Sequence, residues 1–298
     1  MNGSTAPTGT GSRRPVVVGV SRSEASRWAV RWACDAAAWR GLPLHLLHAQ
    51  DWPTGISPQT EPGRPGHHRL ITLRAHGEEL LETARLLAAE RHPELEITSR
   101  LVEGRPVRVL REAAEEAAQL VLGGRHLTEP QATLMIASKG ASLVGHPPCP
   151  VVLVPEPEPD TSGAGPVVVG IDGSAACEAA IGFAFEEASL GQTDLQAVEV
   201  RRPREADRPD LVEESLLDLS ESLAGWREKY PDVRVRHEVL TGDPAQMLAT
   251  AARHARCLVI GNRGLGGFQG LVLGSTGRVL VNRCHRPLVV VPSGSRSR

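Results

Sequence analysis

Short apolar runs rich in valine and leucine recur along the chain, with longer amphipathic stretches between them. In the first half Val16–Val20, Leu44–His48, Glu96–Val102, Leu120–Leu122 and Val151–Val154 read as strands. Glu24–Arg40, Thr72–Arg91, Val107–Ala118 and about Met135–Val144 read as the helices between them. In the second half strands fall near Val167–Ile171, Leu195–Val200, Arg234–Leu240, Leu258–Ile260 and Leu288–Val291. Helices fall near Ala176–Leu190, Leu211–Lys229, Ala245–His254 and Ser275–Asn282. The strand runs are β-branched and do not alternate cleanly between apolar and polar. Strands covered on both faces read this way, so the pattern predicts an α/β fold with a parallel sheet and helices on each side.

The two halves are copies of one another. Pro15-Val-Val-Val-Gly-Val20 recurs as Pro166-Val-Val-Val-Gly-Ile171, and Gly104-Arg-Pro106 recurs as Gly242-Asp-Pro244. Cys149-Pro-Val-Val-Leu-Val-Pro155 recurs as Arg286-Pro-Leu-Val-Val-Val-Pro292. Constant order with a shrinking offset means duplication of one fold, with a longer loop in the first copy. That loop is Asp51–His68, a lid or a disordered segment, and its proline and glycine content favours disorder. The expected organisation is a disordered tail at 1–14, one domain at 15–155, a linker at 156–165 and a second domain at 166–293. Each domain is expected to be doubly wound, with a five-stranded parallel sheet.

Composition narrows the function. A formal net charge of −2 gives no footprint for nucleic acid or an anionic membrane. Apolar runs stop short of the ~20 residues a membrane span needs, and the N-terminal stretch lacks the apolar core of a secretory signal. The five cysteines, at 34, 149, 177, 257 and 284, show no CxxC or framework spacing, which suggests reduced thiols in a cytoplasmic protein. Trp28, Trp32 and Trp39 share one face of the first helix and are expected to pack on the sheet or the sister domain rather than to stack on a ligand.

Chemistry concentrates in the second copy. Its first strand ends in Ile171-Asp172-Gly173-Ser174. A carboxylate there can accept ribose hydroxyls or a purine amino group, or hold a cation. Asp172 or Ser174 would serve equally as an N-cap or Asx-turn for the next helix, and the sequence leaves both readings open. The fourth strand leads into Gly261-Asn-Arg-Gly264, and nine residues later Gly274-Ser275-Thr276 opens a helix. Glycines at a strand-to-helix junction let backbone N–H groups approach a phosphate, and the helix N-terminus adds its dipole. There is no Walker lysine and no Rossmann glycine spacing. Phosphate charge would therefore be met mainly by the backbone, with Arg263 and Arg278 as helpers or as solvated surface residues.

The first copy keeps the frame and alters the chemistry. Ser21 stands where the second copy has Asp172, and Leu122-Gly123-Gly124-Arg125 is followed by His126 in place of Gly264. Ala137-Ser138 stands opposite Gly274-Ser275 with one extra residue in the loop before it. A Cβ at either glycine position obstructs close approach of a phosphate. His126 and Lys139 are the side chains left to contact one.

The α/β pattern and the Gly-2x-Gly-9x-Gly-Ser spacing resemble the universal stress protein family, here as a tandem two-domain member. The resemblance covers nearly the whole chain outside the termini and the linker. It implies a five-stranded parallel α/β sheet in each domain and, for motif-bearing members, binding of ATP with Mg or Mn. By that resemblance Asp172, Gly173 and Ser174 would face the nucleoside and Val200 would meet adenine through its backbone. Gly261, Arg263, Gly264, Gly274, Ser275 and Thr276 would surround the ribose and phosphates. Family members often carry a hydroxyl residue two positions after the motif serine, where this chain has Gly277. The expected function is stress-response ATP binding in the second domain, the first being structural or regulatory. A slow ATPase is the enzymatic alternative, but beside Asp172 no general base is evident. A nucleotide-free scaffold is the third reading. The uncharged fifth strands, Val151–Val154 and Leu288–Val291, invite edge pairing as a pseudo-dimer of the two domains, and whole chains would then dimerise further.

Overall fold

The strands are buried because both of their faces are covered. In the computed structural model, residues 13–51, 67–124, 148–156, 165–201, 223–264 and 273–294 are described. In the first half the strands are β1 (Val16–Gly19), β2 (Leu44–Gln50), β3 (Ile97–Glu103), β4 (Gln119–Gly123) and β5 (Val151–Val154). In the second they are β6 (Val167–Ile171), β7 (Leu195–Arg201), β8 (Val235–Thr241), β9 (Cys257–Gly261) and β10 (Leu288–Val291). Alternate residues of the inner strands feed two cores, one on each face: Val16 and Val18 on one side, Val17 on the other.

All ten strands form one sheet, ordered β3-β2-β1-β4-β5-β10-β9-β6-β7-β8. Each half is parallel, and β5 and β10 meet antiparallel at the centre, Val152 opposite Val289. The expectation of five-stranded parallel sheets holds within each half. The two are fused into one mixed sheet because two bare apolar edges cover each other. At the outer edges, β3 and β8 carry only half-buried and exposed residues.

The helices are α1 (Glu24–Arg40), α2 (His67–Arg91), α3 (Pro106–Glu115), α4 (Ala175–Leu190), α5 (Pro244–Ala251) and α6 (Ser275–Arg283). Ser23 and Ser174 cap α1 and α4 by accepting from the N–H three residues on. Gly41 ends α1 with φ 59°, where a Cβ would be strained. Pro106 and Pro244 begin their helices, where a missing N–H costs nothing. The helix α2 begins five residues before the predicted Thr72, and 252–254 form a 3₁₀ turn instead of continuing α5. Residues 223–229 are helical, as the predicted Leu211–Lys229 helix requires of them. The first twelve residues, the core of the 51–68 loop, the Met135–Val144 helix and most of the linker lie outside the described residues.

Trp32 and Trp39 of α1 pack across the domain seam. The Arg256 guanidinium lies over Trp32 and Trp39, 5.1 and 4.5 Å from the ring centroids. Trp28 instead carries Arg31 of its own helix, at 4.6 Å. Beside them Arg40 donates to Glu186 at 2.7 Å and to Glu187 at 2.9 Å.

Two expectations concern titratable groups. All five cysteines are buried and unpaired by disulfides. Burial pushes the Cys34 and Cys149 thiols up to about 12 and Cys284 to about 11, and raises Cys177 and Cys257 as well. The folded protein is expected to resist an aromatic disulfide reagent at pH 8, with all five thiols reacting once it is unfolded. Asp35 joins α1 to the end of α2 through Arg91 at 2.6 Å and His92 at 2.9 Å. Burial opposes its ionisation, but the hydrogen bonds and charge of Arg91 and His92 outweigh burial and lower its pKa. The stabilisation is present above the unfolded carboxylate value of about 3.9 and is lost as pH falls through the lower folded value. Asp35→Asn should lower stability at pH 7 by about 1–2 kcal/mol, with the two proteins converging in acid when unfolding is followed against pH.

Candidate functional site

Strand order fixes where a crevice can open. Within each half the first and fourth strands are neighbours. In the second half β6 leads into α4 on one face, and β9 leads towards α6 on the other. The chain therefore parts at the carboxyl ends of β6 and β9, the topological switch point where ligands sit in open α/β sheets. The β6–β9 ladder pairs Val167–Val169 with Cys257–Val259 and stops. In the first half the equivalent ladder continues one pair further, to Gly19 and Leu122. The strands of the second half thus separate one register step sooner.

Asp172 and Gly264 meet in that opening. A Cβ built on Gly264 would collide with the Asp172 carboxylate. Gly264 is therefore needed while Asp172 holds this rotamer, and any larger residue fills the space beside the carboxylate. Asp172 is exposed, and its Oδ1 accepts from the Ser174 N–H at 3.1 Å in an Asx-type turn. Gly173 between them has φ 72°, the left-handed conformation that glycine adopts without strain. Ser174 accepts from Cys177 N at 3.3 Å and donates to the Arg263 carbonyl at 3.3 Å. Both helix-start readings of this segment hold, since Ser174 caps α4 and Asp172 makes the turn. The second bond of Ser174 ties that helix start to the glycine loop 89 residues away.

Gly274 closes the other wall. Its N–H donates to the Asn262 carbonyl at 3.2 Å, and a Cβ on it would lie 3.9 Å from Gly264 N. The two motif glycines are thus adjacent in space although a loop separates them in sequence. Helix α6 starts at Gly274 with no side-chain cap, so its first-turn N–H groups, on Ser275 and Thr276, carry no capping side chain. Arg263 is half-buried beside the crevice, whereas Arg278 is exposed. Val200 lies one residue before the end of β7, paired with Leu240, and its side chain packs into the core.

Asn262 is a site residue that the motif reading passed over. It is buried, its Oδ1 accepts from Ser293 N at 3.2 Å, and its N–H donates to Val291 O at 2.9 Å. With its carbonyl on Gly274, it locks the end of β9 to the end of β10 and to the start of α6. The signal was its position as the uncharged polar residue of Gly261-Asn-Arg-Gly264. Gly277 also finds its reason: a Cβ there would lie 2.9 Å from Leu273 Cγ, so the buried leucine excludes a hydroxyl residue.

The first half closes the same place differently. Ser21, in the position of Asp172, donates its N–H to Ser26 Oγ at 2.9 Å and shares a hydrogen bond with Ser23 Oγ at 3.1 Å. A Cβ on Gly123 would lie 2.5 Å from Ser26 N, so this glycine is held by the packing of α1 alone. Gly261 occupies the equivalent position, which leaves Gly264, Gly274 and Asp172 as the distinguishing set. His126, Ala137, Ser138 and Lys139 lie outside the described residues.

Comparison with known proteins agrees with the fold and its duplication. The model of the universal stress protein family matches residues 12–155 and again 164–292. The chain is similar to a universal stress protein of Mycobacterium tuberculosis H37Rv, 32% identical over 92% of this chain and 95% of that protein. A second from the same strain is 34% identical, covering 92% and 96%. A crystal structure of a universal stress protein from Archaeoglobus fulgidus superposes with a TM-score of 0.70 at 16% identity, covering 94% of this chain and 98% of that one. The match repeats over both halves and spans almost the full length of these relatives, so the chain belongs to the universal stress protein family.

Proposed function

We propose that the second domain binds ATP as a stress-response nucleotide sensor, while the first serves as a structural or regulatory partner. The observation that carries this reading is the cradle in which Asp172 and Gly264 face one another beside the uncapped start of α6. A carboxylate suits ribose hydroxyls, and free N–H groups at a helix N-terminus suit phosphate. The Asp172, Gly173 and Ser174 turn would border the nucleoside, and the backbone of Val200 would meet the base. Gly261, Arg263, Gly264, Gly274, Ser275 and Thr276 would border the ribose and phosphates. Ser174 contributes by holding the Arg263 carbonyl, which keeps the two loops in register. Among the described residues no group of three His, Cys, Asp or Glu could hold a metal ion. Mg would therefore enter with the triphosphate, as its counterion.

Equilibrium dialysis of the full chain with ATP and Mg should give one nucleotide per chain. Gly264→His and Asp172→Ala should each weaken binding by about tenfold or more, since one fills the cradle and the other removes its acceptor. Ser21→Ala should leave the stoichiometry and affinity unchanged. Two nucleotides per chain, or unaltered binding in Gly264→His, would overturn the assignment to the second domain.

Among the described residues the site offers binding groups and no evident general base beside Asp172. Turnover of bound ATP should therefore stay well below ~1 s⁻¹, the low end of ordinary enzymes, in a phosphate-release assay. A rate in the ordinary range would instead support the ATPase reading.

A further inference from the structure

The strands that join the two halves carry little information about which half should join which. Val151–Val154 and Leu288–Val291 are both short, uncharged and fully buried. Val152 and Val289 are equivalent positions in the duplication, each two residues beyond the proline whose carbonyl accepts from the fourth strand at 2.9 Å. Because they pair with each other, they mark a pseudo-twofold axis. A strand β5 would pair as well with a second β5 as with β10.

The residues flanking that axis are not symmetric. The capping serines, Ser23 and Ser174, bring α1 and α4 into correspondence. Arg40 then corresponds to Gly191, Asp35 to Glu186, and Ala36 to Glu187. Arg256 corresponds to Ala118; their N–H groups bond to Pro166 O and Pro15 O respectively. One half therefore supplies a cation and two tryptophans, and the other supplies two carboxylates and the Arg256 guanidinium. Arg40 is 10% exposed and Glu187 is 0% exposed, so the charges that meet here are withdrawn from water.

Each like-with-like pairing breaks this arrangement. Two first halves would bring Arg40 to Ala36 and to Asp35, whose carboxylate is already held by Arg91 and His92. Their Trp32 and Trp39 would meet Ala118 in place of a guanidinium. Two second halves would set Glu186 and Glu187 against Gly191, leaving Glu187 only the Arg256 of its own half, at 3.3 Å, and Glu186 without a cation across the seam. A buried charge that loses its partner is strongly destabilising, whereas the matched pair is close to neutral against an apolar replacement. The network therefore acts chiefly against the wrong pairings.

We infer that the Arg40–Glu186/Glu187 contact and the Arg256–tryptophan stack make this seam selective for a domain of the opposite type, so that a first half pairs with a second half and not with another first half.

The test uses the full chain carrying Val152→Cys, refolded from denaturant at micromolar concentration under mild oxidant. In a pairing of two first halves, position 152 meets its own copy across the axis and can be disulfide-linked; in the native pairing it meets Val289. The parent should give little 152–152 dimer. Adding Arg40→Ala should raise that product by about tenfold or more, because the buried cation no longer penalises the pairing. Adding Arg40→Lys instead should leave it low. A folded Arg40→Ala chain without the product, or abundant product in the parent, would overturn the inference. If Arg40→Ala fails to regain its native circular dichroism, Glu187→Gln with Val289→Cys decides. It should form a 289–289 product that Val289→Cys alone does not, and its absence would equally overturn the inference.

Discussion

The structure depends on covering the edge of the fifth strand. In each half the sheet order places the fifth strand outermost beside the fourth, with apolar residues on both faces and no charge or proline to blunt its edge. Such an edge exposes unpaired N–H and C=O groups and attracts another strand. Here each half satisfies the other, and ten strands become one sheet. That pairing brings α1 and α4 together over the join, and the ionic and aromatic contacts follow from their proximity. The same constraint sends both outer edges, β3 and β8, away from the centre, where partly exposed and polar residues suffice.

The candidate site follows from a second constraint, the switch point between β6 and β9. Two connections leaving opposite faces of neighbouring strands must part, and the gap is lined by whatever the two loops carry. In the second half the loops carry an acidic residue, glycines and an uncapped helix start. In the first half serine hydroxyls bond to one another and to the backbone over the equivalent strand ends. The contrast separates two reasons for glycine that sequence alone confounds. Gly123 is held by α1 pressing on it, so retention of its counterpart Gly261 says little about a ligand. Gly264 borders a carboxylate, and its replacement by His126 coincides with the loss of that carboxylate.

Family membership, fold and duplication rest on local patterns that repeat along the chain, and so they were legible in the sequence. Strand cores could be read because β-branched runs buried on both faces have little other use. The ends of α1 were legible because Ser23 and Gly41 have specific capping roles. The start of α2 was less legible, since His67–Ile71 has no capping signal and includes the exposed Ile71. Asn262 was overlooked because its importance lies in three backbone-directed bonds to β10 and α6, and a residue type does not reveal such partners.

The sequence by itself determined the α/β pattern, the duplication and the set of residues by which the second copy differs from the first. These are local patterns or internal comparisons, and they need no knowledge of distance. Tertiary structure alone decided that Gly264 faces Asp172, that Ser174 and Asn262 bind the loops together, and that Arg40 of one half meets two carboxylates of the other. Those contacts join residues from 12 to 147 positions apart. The site contacts depend on the strand order within the second half, and the Arg40 contacts on the antiparallel sense of the β5–β10 pairing, neither of which a local pattern of residues specifies.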